Sequence, residues 1–464
     1  MRAFWAIVKL TLRNAMRSHV FQLLLLLLLL CVGVIPASIG GGTAQDFIRV
    51  SLFYSIWAVG LVLSLSSLWL GCFVMAHDVD SYQLHMVVAK PVSRVVIWLG
   101  KWTGINLINF VLLFISMGMI YGIIFYRYKI DDRFTPDERR KIASEVLVGR
   151  RVFKPEIPDF EALARRALVN RMEHLKKQGG AVLDSATQEK MYQELLQSIA
   201  GAYAELPIGA KRYWLYKNIP EISGEPLYIR FRPYVSKVSS DDQRKTYLWW
   251  SAVVPSRDGG KTPDVEYFLT RQPEQLLSGT FYERMLPPEL KVVSLKNEVR
   301  IGVANFDPYR ANHYYQLADG PKLLVKMSSF EGNYLRAVLV MMLQLALLSA
   351  LACAFGGFLT MPTAIFMVIS YLLFGSFSTL LTDQEFYAST AWDHLGQALA
   401  KLLLMVVIPL QGFDVTDLLS SGELIEFAYI GKLFLYYFVL RGMPLFLLGI
   451  WLYRRRELGL AVRK

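Results

Sequence analysis

The chain reads as an α-helical membrane protein. Six transmembrane helices in two sets of three follow an N-terminal interfacial helix, and an extracytoplasmic α+β domain separates spans three and four. Three observations predict this. Of 464 residues, 54% are hydrophobic and the mean hydropathy is +0.34, more apolar than soluble chains of this length. The apolar residues gather into runs of about 20, the length a helix needs to cross a bilayer core. The interval 127–333, by contrast, is polar and holds no such run.

The runs lie at 20–38, 52–76, 102–126, 335–356, 359–381 and 433–453. A further run, 397–410, is too short to span and carries Lys401 and Pro409, which suits a re-entrant or interfacial segment near 397–411. Ahead of the first span, "FWAIVKLTLRNAMRSH" sets Trp5, Val8, Leu12 and Ala15 on one helical face, with Lys9, Arg13 and Arg17 opposite. That pattern predicts an interfacial helix leading into a span. Residues 1–38 share features with a cleaved signal peptide, but the basic region is long, so the segment is expected to be retained.

The net charge of +12 follows topology. Residues 1–19 hold Arg2, Lys9, Arg13 and Arg17 with no acid, and 453–464 hold Arg454, Arg455, Arg456, Arg463 and Lys464 against Glu457. The interval 382–432 is the reverse, with Asp383, Glu385, Asp393, Asp414, Asp417, Glu423 and Glu426 against Lys401 and Lys432. The positive-inside rule therefore puts both termini and 77–101 in the cytoplasm, and 127–333 and 382–432 outside it. Charge arranged this way suits membrane lipids and argues against a nucleic-acid partner.

Three divisions follow: 1–126 with the interfacial helix and spans one to three, 127–333, and 334–464 with spans four to six and a basic tail. The middle interval is long enough to bury its own core. Its first part is helical in pattern. "TPDERRKIASEVL" offers Thr135 as cap, Pro136 at the first helical position and Glu138 to close a capping box. "DFEALARRALVNRMEHLKKQGG" and "SATQEKMYQELLQSIAGAYAEL" continue it. From about 209 the period becomes two, in "PLYIRFRPYV", "TYLWWSAVV", "DVEYFLTR", "LKVVSL" and "KLLVKMS". Helices followed by a small β-sandwich or jelly-roll-like unit are expected.

Chemistry-bearing patterns are few. Cys31, Cys72 and Cys353 all fall in predicted spans, so the outer domain contains no disulfide. The six histidines are scattered, without metal-ligand spacing. "DGGKTP" (258–263) contains Gly-Lys-Thr, but Pro255 stands where a phosphate loop needs glycine, which leaves a hairpin turn. No catalytic site, metal site or ATP-binding motif is expected in this chain.

Residues 77–101, "HDVDSYQLHMVVAKPVSRVVIWLGK", join spans two and three with an acidic pair, an apolar strip and spaced basic residues. This loop resembles the cytoplasmic loop of bacterial ABC transporter permeases of the type-2 exporter class. Asp78 and Asp80 match the acidic positions, Pro91-Val92-Ser93-Arg94 the turn, and Gly100-Lys101 the start of span three, while Tyr82 and Gln83 replace the usual Gly-Thr. "LLLMVVIPLQGFDV" (402–415) is similar to the segment before the family's last span, at Pro409 and Phe413, and "YRRREL" is similar to its tail. The resemblance covers 1–126 and 334–464 and leaves the outer domain unmatched.

The resemblance implies a permease in the bacterial inner membrane that works as a homo- or heterodimer on two cytosolic ATPase subunits, where ATP and Mg bind. The loop would then be a coupling helix. Leu84, Val87 and Val88 would fill a groove on the ATPase, flanked by Asp78, Asp80, Lys90, Pro91, Ser93, Arg94, Gly100 and Lys101. Arg441 and Gln344 are candidates for an intramembrane path. Arg441 equally suits bracing of the re-entrant segment, or snorkelling to headgroups. Gln344, with the small-residue run 349–357, also suits close helix packing. Two other functions share the pattern: a lipid-extracting permease like the lipopolysaccharide-export pair, and a membrane scaffold or sensor that moves nothing.

Overall fold

The structure is a computed structural model. It describes the chain apart from residues 18, 39–42, 81–91, 179–183, 221–225, 236–244, 255–264, 287–297, 317–319, 383–391, 393, 394, 397, 400–406 and 456–464. Two compact units result, one of Met1–Gly149 with Ser328–Lys464 and one of Arg150–Met327. In chain order the helices are α1 (Arg2–Arg17), α2 (His19–Ser38), α3 (Ala44–Asp80), α4 (Arg94–Ile130), α5 (Pro136–Glu145), α6 (Phe160–Lys177), α7 (Ser185–Ala204), α8 (Phe330–Gly356), α9 (Met361–Thr382), α10 (Thr416–Ser420) and α11 (Phe427–Arg455). Helices α6 and α7 belong to the second unit and the rest to the first.

Among the described residues, four helices are long and apolar enough to cross a membrane: α3, α4, α8 and α11. They contain the expected spans 52–76, 102–126, 335–356 and 433–453. The first expected span lies in α2, which meets α1 at a bend of 66°. The fifth falls in α9, of which the apolar part Met361–Gly375 lies among the residues described in full. On α1, Ile7, Val8, Thr11 and Ala15 are buried and Lys9, Arg13 and Arg17 exposed, as an amphipathic helix requires. Trp5 departs from the expected face at 61% exposure.

Helix α8 is the centre of the first unit, packed on α3, α4 and α11. Small residues allow the approach. A Cβ on Gly71 of α3 would stand 2.4 Å from Ala352 Cβ, and one on Gly449 of α11 2.4 Å from Ala354 Cβ. Between apolar helices, close backbone packing replaces the hydrophobic drive that lipid removes. Side-chain caps define several starts. Thr135 Oγ1 accepts from Glu138 N and Glu138 Oε2 from Thr135 N, the expected capping box on α5. Ser93 caps α4, Asp159 caps α6 and Ser329 caps α8.

The second unit contains a β-sandwich. Strands β1 (Val148–Phe153), β12 (Lys322–Ser329), β4 (Leu227–Phe231) and β9 (Tyr282–Met285) pair in that order. A second sheet runs β3 (Lys211–Tyr216), β10 (Val299–Asn305), β6 (Lys245–Val254) and β7 (Val265–Phe268), with β8 (Glu274–Leu277) also on β6. Short strands β2 (Glu205–Leu206), β11 (His313–Tyr314) and β5 (Tyr234–Val235) form a third. Both larger sheets contribute to one core of Trp214, Tyr216, Ile229, Phe231, Trp250, Ile301 and Leu323. The Phe231 and Trp250 rings lie 4.1 Å apart.

The order differs from helices followed by strands, because β1 precedes α6 and α7. Its Arg150 is fully buried, with Nη1 2.7 Å from Glu283 Oε2, and Arg230 pairs with the same carboxylate at 2.6 Å. Burial pushes the Glu283 carboxyl up, but the two guanidiniums outweigh it and hold it below its ordinary range. Of the expected strands, "LKVVSL" lies outside the described residues, as does the "DGGKTP" turn.

Candidate functional site: a braced loop and a held re-entrant end

Asp78 and Asp80 occupy the last turn of α3. Leu84, Val87, Val88, Lys90 and Pro91 lie outside the described residues. The returning side of the loop is built in detail. Ser93 Oγ accepts from Val96 N at 3.4 Å, which starts α4, and Arg94 Nη1 donates to the Arg454 carbonyl at the end of α11, 2.7 Å away. Gly100 and Lys101 are buried within the helix packing, and Lys101 Nζ donates to the Val74 carbonyl of α3 at 2.9 Å. Ion-like donation to a helix carbonyl satisfies a charge that the packing removes from water.

Helix α1 closes this end of the unit. Gly100 and Gly104 sit one turn apart on α4, and built Cβ atoms there would lie 2.9 Å from Ile7 Cγ2 and from Thr11 Cβ. Thr11 returns its own hydroxyl to the Ile7 carbonyl at 3.0 Å, so α1 presents carbon to the glycines. Trp98 is fully buried with its ring 4.5 Å from Phe446 of α11 in an edge-to-face contact, and Trp102 meets the same ring at 5.3 Å. The returning end of the 77–101 loop is therefore tied to α1, to α3 and to the end of α11. Sequence reasoning missed this brace, although the Gly-x-x-x-Gly spacing at 100–104 was its signal.

The opposite ends of these helices gather a different set. Asn333, at the start of α8, donates to the Glu423 carbonyl and accepts from Ile425 N, each at 2.8 Å. Gly422, with φ +67°, lies where a Cβ would be 2.5 Å from the Glu145 carbonyl oxygen. The acidic segment 414–426 and α5 thus share one end of the unit, and the braced loop lies at the other. Helix α4 alone, at 37 residues, is about 55 Å long.

Of the re-entrant candidate, the end at 407–413 is described. Arg441 Nη1 donates to the Val407 carbonyl at 3.0 Å and Nη2 to Tyr436 Oη at 2.8 Å, with the guanidinium 4.7 Å from the Tyr436 ring centre. Ile408 N donates to Tyr371 Oη of α9 at 3.0 Å. Pro409 then leads into a single turn, Leu410–Phe413, and Phe413 is buried. Around Arg441 the backbone is π-helical over Leu433–Gly442, a widened turn that re-aims side chains. Of the readings open for Arg441, the bracing of this segment is the one with visible bonds. Gln344 is half-buried on α8 and is not among the partners described for Arg441.

No family model, curated protein or solved structure matches this chain. Among the described residues, no group of three or more His, Cys, Asp or Glu is placed to hold a metal ion.

Proposed function

We propose that this chain is the permease subunit of an ATP-driven ABC transporter in a bacterial inner membrane. In this reading α2 and α9 complete six crossings with α3, α4, α8 and α11, both termini are cytoplasmic, and the second unit lies outside the cytoplasm. The chain has no ATPase of its own. It works as a homo- or heterodimer, with ATP and Mg handled by two cytosolic subunits that dock on residues 77–101. The observation that carries the reading is the brace: a loop between two long spans is tied back where it enters the second of them, by Lys101 to α3, by Gly100 and Gly104 to α1, and by Arg94 to α11. A push on such a loop moves whole helices and is not absorbed by a slack connection. Separation of the loop from the acidic 414–426 segment, at opposite ends of the unit, agrees with the charge bias of the sequence.

The sandwich interior, filled by Trp214, Trp250, Phe231 and Tyr216, favours export or extracytoplasmic handling of a substrate over lipid extraction, which needs an open apolar groove. The test is affinity purification of the full chain from its own membranes. A co-purifying ATP-binding subunit that is lost in the Asp80→Lys, Arg94→Glu double variant supports the reading. Recovery of the chain with no ATPase would instead make it a scaffold or sensor.

A further inference from the structure

One face of the β3–β10–β6–β7 sheet turns toward the core of the second unit, and the other presents an aromatic surface. Alternation along β6 sends Leu248, Trp250 and Ala252 inward and Tyr247, Trp249 and Ser251 to the opposite side. Across the sheet, Tyr213 faces Gly302, Gly302 faces Ser251, and Ser251 faces Phe268. The next row places Lys211, Ala304 and Trp249 side by side. The middle strand thus offers only a hydrogen and a methyl, between aromatic rings on either side. A Cβ on Gly302 would come 2.8 Å from Tyr213 Cε1, so glycine is what lets this ring settle against the strand. Phe268 stacks on Trp249 at 4.1 Å, and Phe306 meets Trp249 edge-on at 5.6 Å. Tyr213, Phe268 and Phe306 remain 45%, 44% and 48% exposed.

A polar pair sits among these rings. Lys211 Nζ bonds the Glu266 carboxylate, and Ser251 Oγ donates to the same carboxylate. The Lys211 ammonium lies 5.2 Å from the Tyr213 ring centre and 5.4 Å from that of Phe268. Aromatic faces flanking a fixed donor and a fixed acceptor match one ligand chemistry well. A sugar ring has an apolar C–H face that stacks on an aromatic ring, and hydroxyls that each donate and accept. An acyl chain has no use for the ion pair. A polyanion meets a lysine already neutralised and a carboxylate that repels it, although Arg300, exposed one row away, adds a cation. The backbones of Tyr213 and Phe268 are three strand spacings apart. Both ring centres, however, lie within 5.4 Å of the Lys211 ammonium, so the rings are at most about 11 Å apart, a span that one or two sugar rings cover.

We propose that this sheet face binds a neutral glycan, stacked on Tyr213 and Phe268 and hydrogen-bonded by Lys211 and Glu266. The site is independent of the transport reading. The full chain in lipid nanodiscs is titrated with soluble gluco-, chito-, malto- and galacto-hexaoses, followed by tryptophan fluorescence and calorimetry. Saturable binding of at least one is expected, weakened about tenfold or more by Tyr213→Ala and by Glu266→Gln, at an unchanged melting temperature. Tyr213 is half-exposed and glutamine keeps the shape of Glu266, so neither change need unfold the unit. Absence of saturable binding across the panel, binding indifferent to both substitutions, or preference for a heparin hexasaccharide would each overturn the proposal.

Discussion

Arg441 Nη1 donates a hydrogen bond to the Val407 carbonyl at 3.0 Å, and the same guanidinium reaches Tyr436 Oη at 2.8 Å. One fork thus joins the π-helical part of α11 to the segment that turns at Pro409. Lysine has no planar fork to set two donors side by side, so its single ammonium meets these two partners less well. Arg441→Lys should therefore lower stability in nanodiscs by about 1–2 kcal/mol, the range for one charge-assisted bond in a membrane setting. Amide exchange at 407–413 should rise with it. An unchanged melting curve and unchanged exchange at 407–413 would show that other contacts hold the segment.

Docking of α1 rests on two missing side chains. Leucine at either Gly100 or Gly104 would overlap Ile7 or Thr11, and overpacking of this kind costs about 1–3 kcal/mol. The prediction for Gly100→Leu and Gly104→Leu is release of α1, read as faster amide exchange over residues 2–17 with α8 unaffected. The idea is lost if α1 exchanges as slowly as in the unaltered protein.

His313 should make the second unit sensitive to mild acid. The ring is fully buried, with Nε2 3.2 Å from Asp307 Oδ2. Burial lowers its proton affinity, and the Asp307 contact opposes this without cancelling it. The unfolded chain then binds the proton more readily than the folded one. Stability is complete above the unfolded value of about 6.5 and declines as pH falls below it toward the lower folded value. His313→Gln should flatten the fall in melting temperature between about pH 7 and pH 5. Identical slopes for the two proteins would assign the acid response elsewhere.

What could be read in advance was what is local. The capping box at Thr135 and Glu138 closes within one turn, and the hydropathy runs of α3, α4, α8 and α11 need no distant partner. Strand β10 escaped because Val299–Asn305 is buried on both faces but for Arg300, which erases the period of two. Strand β1 escaped because its buried Arg150 makes sense only beside Glu283, far along the chain. The candidate site divides the same way. The 77–101 loop announced itself by composition, whereas the burial of Lys101 depends on the Val74 carbonyl of a neighbouring helix. The π-helical turn that aims Arg441 is a matter of hydrogen-bond register, for which composition gives no sign.

The last prediction is that the helical unit folds and assembles without the second. The chain leaves it after Gly149 and returns at Ser328, and these two positions touch: a Cβ on Gly149 would stand 3.1 Å from Ser328 Cβ. A Gly/Ser linker of about four residues can close that gap with little entropic cost. The cut must spare α5, because Ile142 and Val146 belong to the core of the helical unit and the Glu145 carbonyl lies against Gly422. Replacement of Arg150–Met327 should thus leave a helical, monodisperse membrane protein that, on the proposed transport reading, still captures an ATPase subunit. The longer replacement of 131–328 should lower its melting temperature, since it removes those contacts. If the second unit selects cargo, stimulation of ATP hydrolysis by cargo disappears in the short deletion while basal hydrolysis persists. Retained stimulation would confine cargo selection to the helices, and an aggregated product would show that the helical unit needs the second to fold.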